Sequence, residues 1–264
     1  MRPLKVAGAL GNIRVLDLTD QTGVYCTKLL ADLGADVIRI EDPRGDPLRR
    51  LGPFLDDVPA PERSLYFFYF NTSKRSITLN LELPEGRELL CGLAATADIV
   101  VESLPLGYLE ELGIGYLSLS QRNPRLIFAS ITPYGRTGPY RGWKGCDLTH
   151  QAMGGLMYIS GWPDLPPQQV ACSPAHYQVA IQAAASTLMA LVDRDKTGRG
   201  QQVDVSVHES APLMLQATVH DYERTGKVRC RMGDDHSKAA RGLFPCKDGF
   251  VDCRLPVQRW SHFV

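Results

Sequence analysis

The stretch Ile13-Arg14-Val15-Leu16-Asp17-Leu18 alternates in polarity and carries β-branched residues, which predicts a short strand. Gly23 to Leu33 follows with Leu29, Leu30 and Leu33 at helical spacing, and Gly34 ends that helix. Ala35-Asp36-Val37-Ile38-Arg39-Ile40 then returns to strand chemistry. Strand, helix and strand within about thirty residues make a βαβ unit, whose right-handed crossover sets two parallel strands in one sheet.

The same alternation repeats downstream. Ser76 to Leu81, Asp98 to Glu102, Leu126 to Thr132 and Gln202 to Val207 read as strands. Helices are predicted from Pro84 to about Ala97, within Leu109 to Gln121 and over Asp147 to Met157. Pro84 suits a first helical turn, where a missing N–H costs little. After Cys172-Ser173-Pro174-Ala175-His176-Tyr177 comes a small-residue helix containing Ala180, Ala183, Ala184, Ala185 and Ala190, then the turn Lys196-Thr197-Gly198-Arg199-Gly200. Another helix is expected near Glu209 to Arg224. Glu41 to Pro61 is a loop by its Pro, Gly, Asp and Arg content, Ser64 to Phe70 is an aromatic packing segment, and Asn71 to Arg75 is a polar turn. Gly226 to Lys238 reads as a linker, Leu243 to Cys253 as a hairpin turning at Asp248-Gly249, and Trp260 and Phe263 as the start of something apolar. The expectation is an α/β fold: a large domain with a mainly parallel sheet over residues 1–225, a linker over 226–240 and the start of a smaller second domain over 241–264.

Composition narrows the function. The chain has 264 residues, enough to bury a full core. Its formal net charge is zero, so no global field draws it to nucleic acid or to an anionic membrane. The seven cysteines form no C-x-x-C pair and no zinc spacing, which fits free thiols in a reducing cytoplasm and no metal site. No apolar run is long enough to span a bilayer. Gly8-Ala9-Leu10-Gly11 precedes the first strand and lacks dinucleotide spacing. His208-Glu209 is no metal pair, because adjacent helical residues diverge, and His236 with Asp234 and Asp235 reads as linker.

Several stretches together resemble the family III CoA-transferases, the CaiB/BaiF family that includes formyl-CoA transferase and the α-methylacyl-CoA racemases. They are Val15 to Leu18, Leu30 to Ile38, Asn71 to Leu79, Asp98 to Glu102, Asn123 to Ile127, Gly135 to Tyr140, Asp147 to Gly155 and Thr197 to Gln201, in family order. The resemblance implies a Rossmann-like large domain holding acyl-CoA, a small domain, and two chains interlocked like links. It also implies that this chain is truncated relative to typical members.

The resemblance further implies CoA transfer between an acyl-CoA and a carboxylate. An aspartate attacks the acyl carbonyl, CoA leaves, and a mixed anhydride and then an aspartyl thioester follow, which splits one difficult exchange into easier steps. Counted back from Lys196, the place of that aspartate falls on Ala175 or His176, and neither is an acid. His176 is the catalytic candidate, as a base or an acyl carrier; the bland alternative is a helix-terminal residue making a hydrogen bond. Asp164 and Asp193 lie away from the motif position. The racemase branch needs a His in a Gly-His-Asp motif that here reads Gly145-Cys146-Asp147, so racemization is disfavoured and Cys146 is expected as a small apolar residue under the site.

Implied contacts to coenzyme A are Asn71, Lys74, Arg75, Glu102 and Tyr134. The family's phosphate arginines are replaced. Glu41-Asp42-Pro43 follows the second strand, the Glu-Asn-Phe-Arg-Pro-Gly motif reads Glu102-Ser103-Leu104-Pro105-Leu106-Gly107, and a third position falls near Glu111. Arg44, Arg49 and Arg50 are the nearest substitutes. The expected role is CoA-transferase. The alternatives are a non-catalytic subunit paired with a catalytic paralogue, as in benzylsuccinate CoA-transferase, and a pseudoenzyme. Expected partners are acyl-CoA and carboxylate substrates and a second chain, in an interlocked homodimer or a heteromer.

Overall fold

The structure is a computed structural model that describes residues 8–231 and 241–254. In chain order the elements begin β1 (Arg14–Leu18), α1 (Val24–Asp32), β2 (Asp36–Glu41), α2 (Leu65–Asn71), β3 (Arg75–Thr78), α3 (Pro84–Ala94) and β4 (Ile99–Glu102). They continue with α4 (Tyr108–Glu111), α5 (Tyr116–Arg122), β5 (Ile127–Thr132), α6 (Asp147–Met153), α7 (Leu156–Ile159), α8 (Pro174–Thr197) and β6 (Gln202–Ser206). Last come α9 (Val207–Ser210), α10 (Gln216–Thr225), β7 (Arg241–Cys246) and β8 (Gly249–Arg254).

β1 to β6 form one parallel sheet in the order β3-β2-β1-β4-β5-β6. This is the doubly wound arrangement, and its order reverses at β1, between β2 and β4. Strand alternation assigns the two faces. Val15, Val37, Ile99, Val101, Ile127 and Ala129 face one way, onto α1 and α8. Leu16, Leu18, Ile38, Val100 and Phe128 face the other way, onto α3 and α5. Both faces are covered, which is the condition under which an all-parallel sheet is stable.

α8 lies against the sheet because its buried side is small. Ala175, Val179, Ala180, Ala183 and Ala184 are each 5% exposed or less, so the helix approaches the strands closely. Its carboxyl end is set by glycine. Gly198 has φ 76° and closes the helix by donating to the Arg194 carbonyl at 2.7 Å. A Cβ on Gly200 would overlap the Leu126 carbonyl oxygen, so only glycine lets the chain turn from α8 into β6 there.

The structure refines several expectations. The aromatic segment after Ser64 is a helix, α2, started by the Ser64 hydroxyl accepting from the Phe67 amide at 3.0 Å. The helix expected over Asp147 to Met157 breaks at Gly154 and Gly155, the latter at φ 85°. Leu109 to Gln121 divides into α4 and α5, with Gly113 at φ 74° between them. Glu209 to Arg224 divides into α9, a 3-10 turn over Ala211–Leu215 and α10, because Pro212 in the turn has no N–H to continue a helix. The hairpin is present as β7 and β8, paired from Arg241 with Arg254 to Cys246 with Gly249. Trp260, Phe263, His236, Asp234 and Asp235 lie outside the described residues.

Candidate active site at the start of the central helix

In open α/β sheets ligands gather beyond the carboxyl ends of the strands, at the point where strand order reverses. Here that region is bounded by Thr19 and Asp20 after β1, Glu102 at the end of β4 and the amino terminus of α8. The chain enters α8 through two residues in the left-handed region, Cys172 (φ 67°) and Ser173 (φ 52°). That reversal directs the first turn of α8, including His176, toward the strand ends.

His176 is 9% exposed, and its imidazole has no hydrogen-bond partner among the described residues. Burial lowers its pKa, with Asp147 and Asp20 acting in the opposite sense, so the ring is neutral near pH 7. The nearby carboxylate is Asp147, the first residue of α6. Its Oδ1 accepts from the Ala175 amide at 3.0 Å, and its other oxygen accepts from the Gln151 side chain. Gln151 in turn holds the loop before α8 through the Val170 carbonyl (3.0 Å) and amide (2.9 Å). The Asp147 carboxylate is thus fully engaged in bracing the helix start.

Cys146 is not under the site. It is exposed and caps α6, with Thr149 closing the reciprocal bond to its amide at 2.9 Å. Behind it sits His150, 1% exposed, whose Nδ1 has no partner among the described residues. Burial, then His176 and His208, press its pKa down to about 4. Its ring fits because residue 145 is glycine: a Cβ there would overlap the imidazole. Tyr134 is 8% exposed, donates its hydroxyl to Met153 Sδ at 3.3 Å, and lies 5.1 Å from His150 and 5.6 Å from His208 by ring centroid. Sequence placed Tyr134 on CoA; the structure places it within this cluster of rings.

Glu102 is at the strand ends, as its place in the motif implies. It is 4% exposed, accepts from the Leu104 amide at 2.9 Å and lies 3.7 Å from Arg136. Burial outweighs these partners and pushes its pKa up to about 7.

The polar turn after α2 behaves differently. Lys74 turns inward, and its ammonium donates to Asp17 (2.9 Å), Thr27 (2.8 Å), Asn71 (3.0 Å) and the Val24 carbonyl (3.2 Å). Asn71 also donates to the Phe67 carbonyl at 3.0 Å. Arg75 is exposed and forks onto Asp36, with bonds of 2.6 to 2.9 Å. Both residues begin their strands, so this pair lies at the rim opposite His176. Among the described residues no side-chain hydrogen bond or ion pair joins Asn71, Lys74 or Arg75 to Glu102 or His176. Lys74 has no free donor for a phosphate, because a buried ammonium offers three N–H groups and four acceptors already surround it.

A crevice of about 230 Å³ lies beyond the ends of β1, β2 and β3. Asp20, Glu41, Asp42 and Asp46 line it, against one cation, Arg39. Arg39 is buried and committed to Asp46 (2.6 Å), Asp17 (3.1 Å) and the Thr19 carbonyl (2.9 Å). The candidate substitutes have partners of their own, with Arg44 and Arg50 exposed. Arg44 forks onto Asp42, Arg49 bonds Glu41 and Glu62, and Arg50 donates to the Arg44 carbonyl. The crevice is thus poorly matched to a diphosphate.

On the other side of His176 is a cavity of about 370 Å³ that sequence reading missed. Its walls are Tyr25 from α1, Tyr66, Tyr69 and Phe70 from α2, and Tyr177 from α8. Gln21, Cys172, Ser173 and His176 supply its polar atoms. The residues come from three distant segments, so no local pattern announces the cavity; the dense aromatic run Tyr66-Phe67-Phe68-Tyr69-Phe70 was the one available signal. Among the described residues, no group of three or more His, Cys, Asp or Glu side chains is placed to hold a metal ion. Among the described residues, too, no helix is long and apolar enough to cross a membrane.

Comparison with known proteins fits this geometry. The description of CoA-transferase family III matches residues 10–261, and the chain belongs to that family. It is 39% identical over 255 residues to the succinyl-CoA:(R)-benzylsuccinate CoA-transferase subunit BbsE of Thauera aromatica, covering 95% of this chain and 62% of the relative. It is 41% identical over 243 residues to the succinyl-CoA:mesaconate CoA-transferase of Haloarcula marismortui, covering 90% and 60%. A CaiB/BaiF family protein from Brucella suis superposes with a TM-score of 0.86 at 36% identity, over 92% of this chain and 65% of that one. The chain therefore spans less than two thirds of the length of these relatives.

Proposed function

We propose that this chain acts in the transfer of CoA between an acyl-CoA and a carboxylate, as the subunit that does not carry the nucleophile. The observation that carries this is the first turn of α8. It presents a neutral, unpartnered His176 where the family reaction needs a carboxylate, and the carboxylate next to it, Asp147, is bound on both oxygens. In the family reaction a carboxylate oxygen bonds to the acyl carbon as the C–S bond breaks and CoA leaves as thiolate. The thiolate then attacks the enzyme-bound carbonyl and releases the donor acid. An acyl imidazole would hydrolyse readily in place of these steps, so His176 suits this role poorly.

The acidic crevice supports the same reading. Four carboxylates line it, so the charge that holds the CoA phosphates is assigned to the partner chain. Glu102, at the carboxyl end of β4, is retained as the CoA contact on this chain. The similarity to a protein named as a subunit makes a heteromer with a nucleophile-bearing paralogue the favoured assembly. Residues 241–264 are read as the start of the family's small domain. The seven free cysteines fit a cytoplasmic location within the same proposal.

A second reading has one observation in its favour: the free imidazole of His176 faces a cavity. In that case the chain is a transferase in its own right, and His176→Ala abolishes turnover. The two readings part on co-expression with an aspartate-bearing relative. Co-purification, with succinyl-CoA-dependent transfer only in the mixture and not abolished by His176→Ala, supports the subunit assignment. Transfer by this chain alone, lost in His176→Ala, supports the second.

A further inference from the structure

The geometry points to an aryl site: the cavity beside His176 receives the ring of an arylalkyl carboxylic acid or its CoA thioester, an inference that rests on the CoA-transfer reading for the reactive end of the ligand. The cavity holds about 370 Å³. A cavity of ~150 Å³ is enough to bind benzene, so a ring and a short tether both fit.

The walls favour an aromatic guest over an aliphatic one. Tyr25 stands perpendicular to Phe70 at 6.0 Å and at 72° to Tyr177 at 4.9 Å. Tyr66 lies 4.5 Å from Phe70 at 46°. The lining therefore offers ring faces and ring edges together. A guest ring meets positive edge with negative face on more than one side, which an alkyl chain of equal area does not do. The walls are also set before any ligand arrives, since Phe70 is 5% exposed and packs with Tyr25, Tyr66, Tyr69 and Tyr177.

The polar lining complements the other end of such a molecule. His176 is nine-tenths buried, and its imidazole has no side-chain hydrogen bond among the described residues. It is free to donate to a carboxyl or thioester oxygen carried on a short tether from the ring. Gln21 and Ser173 add further donors on the same lining.

The test is calorimetric titration of the full chain with 3-phenylpropanoate, 3-cyclohexylpropanoate and butanoate, with coenzyme A titrated in parallel into its mixture with the aspartate-bearing relative. The phenyl acid is expected to bind at least about tenfold more tightly than butanoate and a few fold more tightly than the cyclohexyl acid. Leu65, 40% exposed at the rim, offers a place to block the cavity: Leu65→Trp is expected to abolish binding of the phenyl acid with the circular dichroism unchanged. Tyr66→Leu is expected to weaken it about tenfold and carries the same test should the tryptophan variant not fold. Equal affinity for the three acids, no binding of the phenyl acid, or full binding in folded Leu65→Trp and Tyr66→Leu overturns the assignment. Coenzyme A separates the two claims. Ring binding by this chain, with no CoA binding by its mixture with the aspartate-bearing relative, leaves the aryl site standing and counts against the transfer reading; CoA binding by the mixture without ring preference does the reverse.

Discussion

Asp147 Oδ1 accepts the backbone N–H of Ala175 at 3.0 Å, so the first turn of α8 is braced by a carboxylate from a different helix. The bond fixes α6 to α8 across 28 residues of sequence. Removing it strands two buried donors, the Ala175 amide and the Gln151 side chain. Asp147→Ala is expected to lower unfolding free energy by ~1–3 kcal/mol in urea titration. Asp147→Asn keeps one acceptor oxygen and is expected to lose less. Equal stability of the alanine variant and the wild type would show that the brace carries no free energy.

Lys74 and Asp17 make a second buried pair, 2.9 Å apart, with Arg39 as the other cation on the same carboxylate at 3.1 Å. Burial alone would raise the Asp17 pKa, but Lys74 and then Arg39 hold it well below the ordinary carboxylate range. A depressed folded pKa stabilises the fold above the unfolded value, near ~3.9, and that contribution is lost as pH falls below it. Lys74→Met breaks a buried network on one side and is expected to cost ~3–5 kcal/mol at pH 7, with a smaller additional loss on acidification than in the wild type. Thermal melts from pH 7 to pH 2.5 follow both. A variant with wild-type stability but weakened CoA binding would return Lys74 to the ligand.

Glu102 shows the opposite sign. Its folded pKa, raised to about 7, exceeds the unfolded value, so the folded chain holds a proton that the unfolded chain has released. Its contribution is present below the unfolded pKa and is lost as pH rises from about 4.3 to the folded value. Glu102→Gln is expected to remove this dependence, so the variant gains on the wild type across that window and levels off above it. Parallel stability curves for the two proteins would show that Glu102 does not titrate there.

The doubly wound sheet was legible because its causes are local. β1, β2, β4 and β5 are alternating or apolar runs, and Gly34 and Gly198 mark the helix ends at positive φ. The place of α8 was legible for the same reason. Side-chain direction was not. Lys74 and Arg75 read as a polar turn, and only the tertiary partners Asp17 and Asp36 show that one cation turns inward and the other is held at the far rim. The helix breaks at Gly113 and Gly154 were invisible because apolar spacing continues through them. Sequence placed His176 at the start of α8, but not the brace from Asp147 or the aromatic cavity, since both join segments far apart in the chain.

Gly200 gives a sharper test of the turn that marks the family. A methyl group there would overlap the Leu126 carbonyl oxygen, a backbone atom that cannot swing aside. Gly200→Ala is expected to separate α8 from β6 and to destabilise the fold by ~3 kcal/mol or more, within the range for large steric defects. Gly92, with open space around it, is the control, and Gly92→Ala is expected to be neutral or slightly stabilising. Equal melting temperatures for the two variants would contradict the close contact.

The most direct measurement is intact-mass spectrometry of the co-purified heteromer after brief exposure to succinyl-CoA and acid quench, with each chain weighed separately. The subunit assignment predicts a covalent adduct, acyl or CoA, on the aspartate-bearing partner and an unshifted mass for this chain. An adduct on this chain, abolished by His176→Ala, would contradict it.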